Sequence, residues 1–389
     1  MKNSNICVGC QACVEMCPYH AIGFSYSMWG EGKAYIDETK CKKCGLCERI
    51  CPSKNISFNA PAKTVYATFS KTNRDTGSSG GIFFELASRF ISHGGIVYGA
   101  AFDEHLKLVH TKATNNSELM RLCKSKYLHS DMAGVYTEIH ELLKNNVKVM
   151  FVGTPCQVSA VKNLFLPKYK EHLLLVDFLC HGTGTQKIFD ICLNEEQKKK
   201  NGKIVDFTFR AKTRKAEHSF QYILKKHGKK KIVSGYSFEF PYYNSFLKYN
   251  IFNEYCYECN YSMNSRVGDI TLGDFWGIQN HNKKLNDKDG VSMLSINTQV
   301  GKDCFDQISP NCVVYEYPLK LASDSNQAFR ERVCVCSRDS KHKLEEVLYN
   351  HGERALVENL SCGNLRKQII YAKTPNFVKT IWSRVRGRK

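Results

Sequence analysis

CVGCQACVEMCP, residues 7–18, and CKKCGLCERICP, residues 41–52, both read C-x2-C-x2-C-x3-C-P. Three cysteines at two-residue gaps fit on one tight loop, where each thiolate can take a different iron corner of one cubane. The fourth begins the next element and is aimed elsewhere, and the proline ends the loop and fixes the chain direction after it. A zinc site usually presents two separated C-x2-C pairs. A disulfide framework needs an oxidising compartment, and MKNSNIC shows no basic start followed by an apolar stretch. Neither alternative accounts for a four-cysteine run that occurs twice.

The spacing is the ligand pattern of bacterial-type ferredoxins with two [4Fe–4S] clusters, in which the fourth thiolate crosses to the other cluster. Cys7, Cys10, Cys13 and Cys51 are therefore expected to hold one cluster, and Cys41, Cys44, Cys47 and Cys17 the second. Residues 1–60 form this module, with NAPAKTVYA as its junction to the rest.

The remaining sequence is long enough for one or two ordinary domains. Of 389 residues 42% are hydrophobic, enough for a core, and no apolar run approaches the roughly 18 residues that span a bilayer. Nineteen cysteines without a secretory leader point to the cytoplasm and to metal. The formal charge of +19 first suggests nucleic acid. An oxidised cubane with four thiolates carries about −2, however, so two clusters leave about +15 and a third about +13. The excess is also uneven: Arg366, Lys367, Lys373, Lys379, Arg384, Arg386, Arg388 and Lys389 stand in a tail with no acidic residue after Glu358. No aromatic-plus-basic recognition motif accompanies the charge, so no specific nucleic acid is expected.

Along the chain, TGSSGGIFFELASRFISHGGIVYGAAF reads as a Gly-Ser loop, a helix, a stop and a strand. Residues 116–146 read as largely helical. VKVMFVGTPCQVSAVKNLF and HLLLVDFLCHGTGTQKIFDICLNEE each read strand, loop, helix. KIVDFTFRAK and SFQYILKKHGKKKIVSGYSF read as antiparallel strands, joining a mixed sheet or forming an inserted meander, and the chain from Val313 onward as mostly helical. The expected fold is α/β, a mixed sheet flanked by helices, preceded by a small two-cluster ferredoxin-like domain. Residues 61–150 and 151–330 form its two regions, and 331–389 a helical extension with the basic tail. Phe377, Val378, Ile381, Trp382 and Val385 share one face of a helix there, which suits peripheral contact with anionic lipid or docking on the body.

Ligands in α/β sheets lie beyond the carboxyl ends of strands. GTPCQ (153–157) and CHGTG (180–184) occupy such positions, and CYEC (256–259) precedes SRVGDITLGDFWG. Cys156, Cys180, Cys256 and Cys259 are enough for one more cubane or one zinc, although Cys156 and Cys180 also suit small buried residues. The loop Gly77, Ser78, Ser79, Gly80, Gly81 can bring backbone N–H groups to a pyrophosphate before a helix start, or be a capping turn. Lys126 can pair with phosphate and Tyr127 cover a ring, or be surface and core. Asp269 and Asp274 read as turn chemistry and Trp276 as core packing.

The double cysteine run, TGSSGGIF, KSKYLHS, FVGTPCQV, LCHG and CYEC…GDITLGDFWG, in that order, resemble the coenzyme F420 hydrogenase/dehydrogenase beta-subunit family over residues 1 to about 320. The resemblance implies FAD and a third [4Fe–4S] cluster, ligated by Cys156, Cys180, Cys256 and Cys259. It places the flavin by the Gly-Ser loop and by the GTPCQ and CHG loops, whose candidates are Thr154, Gln157, His181 and Gly182. It also implies a small-molecule hydride carrier such as reduced F420, and a redox partner protein or catalytic subunit. No G-x-G-x-x-G follows a strand, so nicotinamide is unsupported. The expected function is a flavin-dependent iron–sulfur oxidoreductase or its electron-input subunit; the alternative is a non-catalytic electron carrier docking a partner enzyme.

Overall fold

The computed structural model describes residues 6–212, 218–285, 290–326, 338–361 and 363–374. Each cysteine run forms a loop and a one-turn helix, Ala12–Glu15 and Leu46–Ile50. Between them β1 (Ile22–Tyr26) and β2 (Gly32–Ile36) pair antiparallel.

The body then supplies β3 (Thr64–Ser70), β4 (Ile96–Phe102), β5 (Leu108–Ala113), β6 (Val149–Gly153) and β7 (Leu173–Phe178). A separate three-stranded antiparallel meander follows, β8 (Lys203–Phe209), β9 (Ser219–Lys226) and β10 (Lys229–Tyr236), turning at His227 and Gly228. The chain returns to the main sheet as β11 (Ile270–Asp274), β12 (Ser292–Ile296) and β13 (Cys312–Pro318). The eight-stranded order is β13-β3-β12-β11-β7-β6-β4-β5. Its centre, β4, β6, β7 and β11, is parallel, and the flanking pairs are antiparallel. Residues 61–150 and 151–330 thus contribute strands to one sheet.

Alternation along the central strands makes two buried faces. Met150, Leu174 and Val176 pack with Ile82, Leu86, Leu119 and Phe305 on one side. Val149, Phe151, Leu173 and Leu175 pack on the other with Ile139, Val158, Val161 and Phe165, from helices Val135–Lys144 and Pro155–Tyr169. Val8, Cys10, Ala12 and Ile50 belong to that second cluster, so the cysteine module shares the body's core. Polar bonds join it as well. Tyr136 donates to the Cys10 carbonyl at 2.8 Å and Tyr261 to that of Pro52 at 2.6 Å, while Lys162 donates to Ser57 O at 2.8 Å and to Val267 O at 3.1 Å.

Three regions depart from the sequence reading. Residues 116–146 are helical only in Asn116–Leu122 and Val135–Lys144. Between them the chain runs extended, bridging Leu128 to Gly184 and Asp131 to Val109, because tertiary pairing outweighs local helix preference there. Cys312–Pro318 is a strand at the sheet edge, where CVVYEYP has the β-branched and aromatic residues that a pleated surface favours. Trp276 is not in the core: it is 37% exposed and stacks on His181 at 5.3 Å. After β13, Arg338–Leu360 forms two helical stretches across a kink at Gly352, and Leu365–Lys373 follows. Lys341, its side chain 1% exposed, bonds Glu31 at 2.8 Å and Glu254 at 3.0 Å, tying this helix to both the module and the CYEC segment. The amphipathic stretch 375–389 lies outside the described residues. Among the described residues no helix is long and apolar enough to cross a membrane.

Candidate redox site

In the module, Cys17 lines one cavity together with Cys41, Cys44 and Cys47, and Cys13 of the first loop borders it as well. Cys51 lies at the other loop, where it and Cys7 both act on the Cys13 thiol. Burial, then these neighbours, push Cys13 up to about 12. Cys47 acts on Cys13 too, so the two sets of four are adjacent. Backbone N–H groups already point at sulfur: Gly9 to Cys7, Ala21 to Cys17 and Lys43 to Cys41, each at 3.4 Å.

The body brings together its own four thiols. Cys156 enters from the helix start after β6, Cys180 from the loop after β7, and Cys256 and Cys259 from the one-turn helix Glu254–Tyr257 and its exit. All four line one cavity, whose wall also includes Ile6, Val8, Pro52 and Ser53 of the module. Cys156 and Cys259 act on the thiol of Cys180, and Cys180, Cys259 and Cys156 on that of Cys256. Burial raises Cys156 to about 12 and pushes Cys180 and Cys256 up as well. Cys156 in turn acts on Cys10, so this cavity adjoins the first cysteine loop. Among the described residues no three Cys, His, Asp or Glu side chains converge on a single metal ion. A cubane does not ask for that, since each thiolate takes a separate iron.

A buried ion pair explains why segments so far apart in sequence meet here. Arg266, 2% exposed, lies 3.2 Å from Asp177, which is fully buried at the end of β7. Asp177 also accepts the N–H groups of Val267 and Gly268 and the Thr271 hydroxyl, while Arg266 donates to Tyr261 O and Phe178 O. The chain after Cys259 is thereby fastened to the strand that delivers Cys180. Gly182, at φ 136°, lies so close to the Phe252 ring that a Cβ would stand 2.4 Å from it.

The candidate flavin contacts divide. Ser78 and Ser79 do not cap the following helix, Ile82–Ser92: its N-cap is Gly81 at φ 80°, with no side-chain cap. Instead Ser78 Oγ accepts the Ser125 N–H at 2.8 Å, and Gly80 donates its N–H to Ser292 Oγ at 2.9 Å. Lys126 turns its amine onto the carbonyls of Arg121 and Cys123, at 2.9 and 2.6 Å, and burial lowers it to about 7. Tyr127 stacks on Phe246 at 4.4 Å within an aromatic cluster. Thr154 and Gln157 form a capping box on helix Pro155–Tyr169, and Thr154 Oγ1 also lies 3.1 Å from Cys156 Sγ. His181 and Gly182 line the four-thiol cavity. Asp274 pairs with Arg210, which also donates to Ser78 O at 3.4 Å. Asp269 accepts from the Leu175 N–H at 2.8 Å and from the Thr298 hydroxyl at 2.7 Å. Sequence reasoning missed Arg210, Asp177 and Arg266; a lone arginine inside SRVGDITLG was the available signal.

This site joins a dicluster module to four further cysteines on a mixed α/β sheet, the arrangement of an iron–sulfur electron-transfer protein. Residues 146–320 match the family described as the C terminus of the coenzyme F420 hydrogenase/dehydrogenase beta subunit, and residues 6–55 match the 4Fe-4S dicluster domain. Residues 146–320 thus carry a domain of the coenzyme F420 hydrogenase/dehydrogenase beta-subunit family behind a dicluster domain, as befits an iron–sulfur electron-transfer protein of oxidoreductase type. It is 26% identical over 178 residues to the coenzyme F420-dependent sulfite reductase of Methanocaldococcus jannaschii, covering 44% of this chain and 27% of that one. The chain thus spans little more than a quarter of the reductase. Its N-terminal part is 34% identical over 71 residues to a 7Fe ferredoxin of Hydrogenibacillus schlegelii, covering 18% of this chain and 85% of the ferredoxin. A chain of the F420-reducing [NiFe] hydrogenase complex from Methanosarcina barkeri shows a distant likeness, with TM-score 0.45, 15% identity, and coverage of 74% of this chain and 93% of that one.

Proposed function

We propose that this chain carries electrons between a hydride carrier, a bound FAD and three [4Fe–4S] clusters. Two clusters are held by the N-terminal module with crossed fourth ligands, and the third by Cys156, Cys180, Cys256 and Cys259. The observation that carries the reading is the shared cavity: four thiols from three distant segments face one space whose wall includes the first cysteine loop. A flavin, when bound, accepts a two-electron hydride and gives up single electrons, which a cluster chain requires. Its fit rests on Ser79 Oγ, His181 Nδ1 and Arg210 Nε, buried polar atoms without a hydrogen-bond partner among the described residues. Lys212 donates to the Ser79 carbonyl, and Arg210, with Asp274 as its counter-ion, to that of Ser78, so cationic groups flank this loop. The start of helix Ile82–Ser92 adds its favourable field for a phosphate. His181 stacked on the half-exposed Trp276 offers a planar face beside the four-thiol cavity.

The hydride carrier is reduced F420 or a similar deazaflavin, a reading supported by the name of the sulfite reductase relative. The electrons pass to a partner protein or catalytic subunit in the cytoplasm, and contact with anionic lipid through residues 375–389 is tested by vesicle co-sedimentation with and without them. The deciding experiment is anaerobic purification with iron, sulfide and flavin measured together, followed by assay of reduced F420 against viologen. The expected result is about 12 irons and 12 sulfides per chain, with FAD and F420-linked activity. About 8 irons, no flavin and no activity would leave the non-catalytic carrier.

A further inference from the structure

The extended segment 123–134 contains His129, whose ring stands between the module and the body. Its Nε2 lies 3.3 Å from the Gly9 carbonyl oxygen, in the first cysteine loop. Its Nδ1 lies 2.8 Å from the hydroxyl of Tyr255, the residue before Cys256. A carbonyl oxygen only accepts, so Nε2 carries the proton and Nδ1 accepts from the tyrosine. The Tyr255 oxygen then accepts from Thr183 Oγ1 at 3.2 Å, and Thr183 Oγ1 accepts from Asn253 Nδ2 at 3.0 Å. Sulfur stands at both ends of this chain of bonds. Gly9 donates its N–H to Cys7 Sγ at 3.4 Å, and Thr183 donates its N–H to Cys256 Sγ, also at 3.4 Å. The histidine backbone is pinned in turn, its N–H bonded to Gly184 O at 2.9 Å beside the Leu128–Gly184 bridge.

We propose that His129 is a positioning residue that holds up the reduction potentials of two neighbouring clusters together, by holding Gly9 and Thr183 so that their N–H groups stay on Cys7 and Cys256. The inference rests on the three-cluster reading above. Hydrogen bonds to ligand sulfur favour the more negative, reduced cluster and raise its potential. The outer partners of a metal site fix how well its ligands are served. Imidazole suits the task because its two nitrogens face opposite ways, so one rigid ring anchors both loops. A side-chain amide matches one nitrogen position or the other, and an apolar ring matches neither.

The test uses the full chain, reconstituted anaerobically with iron and sulfide, as wild type, His129→Gln, His129→Phe and Tyr255→Phe. Iron and sulfide are counted first, and each cluster is then titrated potentiometrically with paramagnetic resonance detection. With wild-type iron content, His129→Phe is expected to lower both potentials. Tyr255→Phe should lower that of the body cluster alone, and His129→Gln, keeping the Gly9 contact, should leave the first cluster unmoved. The expected size is about tenfold in the oxidised-to-reduced ratio at fixed potential, which is about 59 mV for a one-electron couple. If His129→Phe loses iron, Tyr255→Phe, smaller by one oxygen, decides by the same titration. Wild-type potentials in Tyr255→Phe, or in His129→Phe with its iron retained, would overturn the proposal. A wild-type count near 8 irons would instead remove the three-cluster reading itself, before any variant is compared.

Discussion

The two cysteine sites are built in opposite ways. In the module the cysteines come from two short, nearly contiguous runs; Cys44 is exposed and six others are half-buried. Local spacing makes that site, and the strands β1 and β2 beside it are largely solvent-facing. In the body, Cys156, Cys180, Cys256 and Cys259 come from three segments, and the sheet, the Asp177–Arg266 pair and the Lys341 contacts bring them together. A small module with little apolar core depends on its metal for stability. A cavity within a packed body exists through the packing around it. One arrangement is written in spacing and the other in tertiary structure.

The largest test of that contrast removes thiols from the body. Cys256→Ala with Cys259→Ala is expected to lower iron from about 12 to about 8 per chain, with the module's clusters still assembled by paramagnetic resonance. Cys17→Ala is expected to damage the cluster on Cys41, Cys44 and Cys47 and spare the one on Cys7. Selective loss of the Cys7 cluster would break the crossed arrangement. Arg266→Met leaves Asp177 buried without its cation, and should cost about 3–5 kcal/mol in the body. Urea unfolding followed by tryptophan fluorescence measures it, and loss of iron should be confined to the body site.

His110 sharpens the comparison through pH, since it lies wholly within the body. Burial pushes its imidazole down to about 4, opposed by its bond to the Val152 carbonyl at 3.0 Å. Between its unfolded value near 6.5 and about 4 the unfolded chain takes up a proton that the folded chain refuses. Its contribution is therefore fully present above about pH 6.5 and falls as pH drops, by about 3 kcal/mol at the acid limit. His110→Gln should flatten that part of the stability curve; an unchanged slope would dismiss it. The smallest effect is expected at the joint between the two regions. Glu15 accepts the Gly134 and Thr137 N–H groups at 3.1 and 2.6 Å, at the start of helix Val135–Lys144. Glu15→Gln should loosen docking by about 1 kcal/mol, read as faster hydrogen exchange around the first cysteine loop.

How much of this could be read in advance follows the same division. The strand–loop–helix units around Cys156 and Cys180 were legible because short apolar runs ended at Gly-Thr-Pro and Cys-His-Gly, and both cysteines fell at strand ends. The antiparallel strands of the meander were legible for similar local reasons in KIVDFTFRAK and SFQYILKKHGKKKIVSGYSF. The segment 123–134 was not, because its extended course comes from pairing with Gly184 and Val109, which nothing nearby in sequence announces. The strand character of Cys312–Pro318 lies in its own β-branched and aromatic composition, which the helical stretches after it mask. Trp276 misled because tryptophan is usually buried, whereas here it leans on His181 at the surface. The Asp177–Arg266 pair joins residues whose separation hides any pattern, and burial alone reveals its weight.

The contact between Lys341 and the CYEC segment carries a consequence for the order in which the molecule is made. A ribosome delivers all eight module cysteines long before Cys256, and Lys341 later still. Domains tend to fold as they emerge, so the module can receive its iron and sulfide while the body is still nascent. The helix that steadies Glu254, two residues from Cys256, comes last of these. On the three-cluster reading cofactor insertion is then staged, and a ribosome stalled before residue 338 should display a ferredoxin-like product whose CYEC segment still lacks its Lys341 contacts.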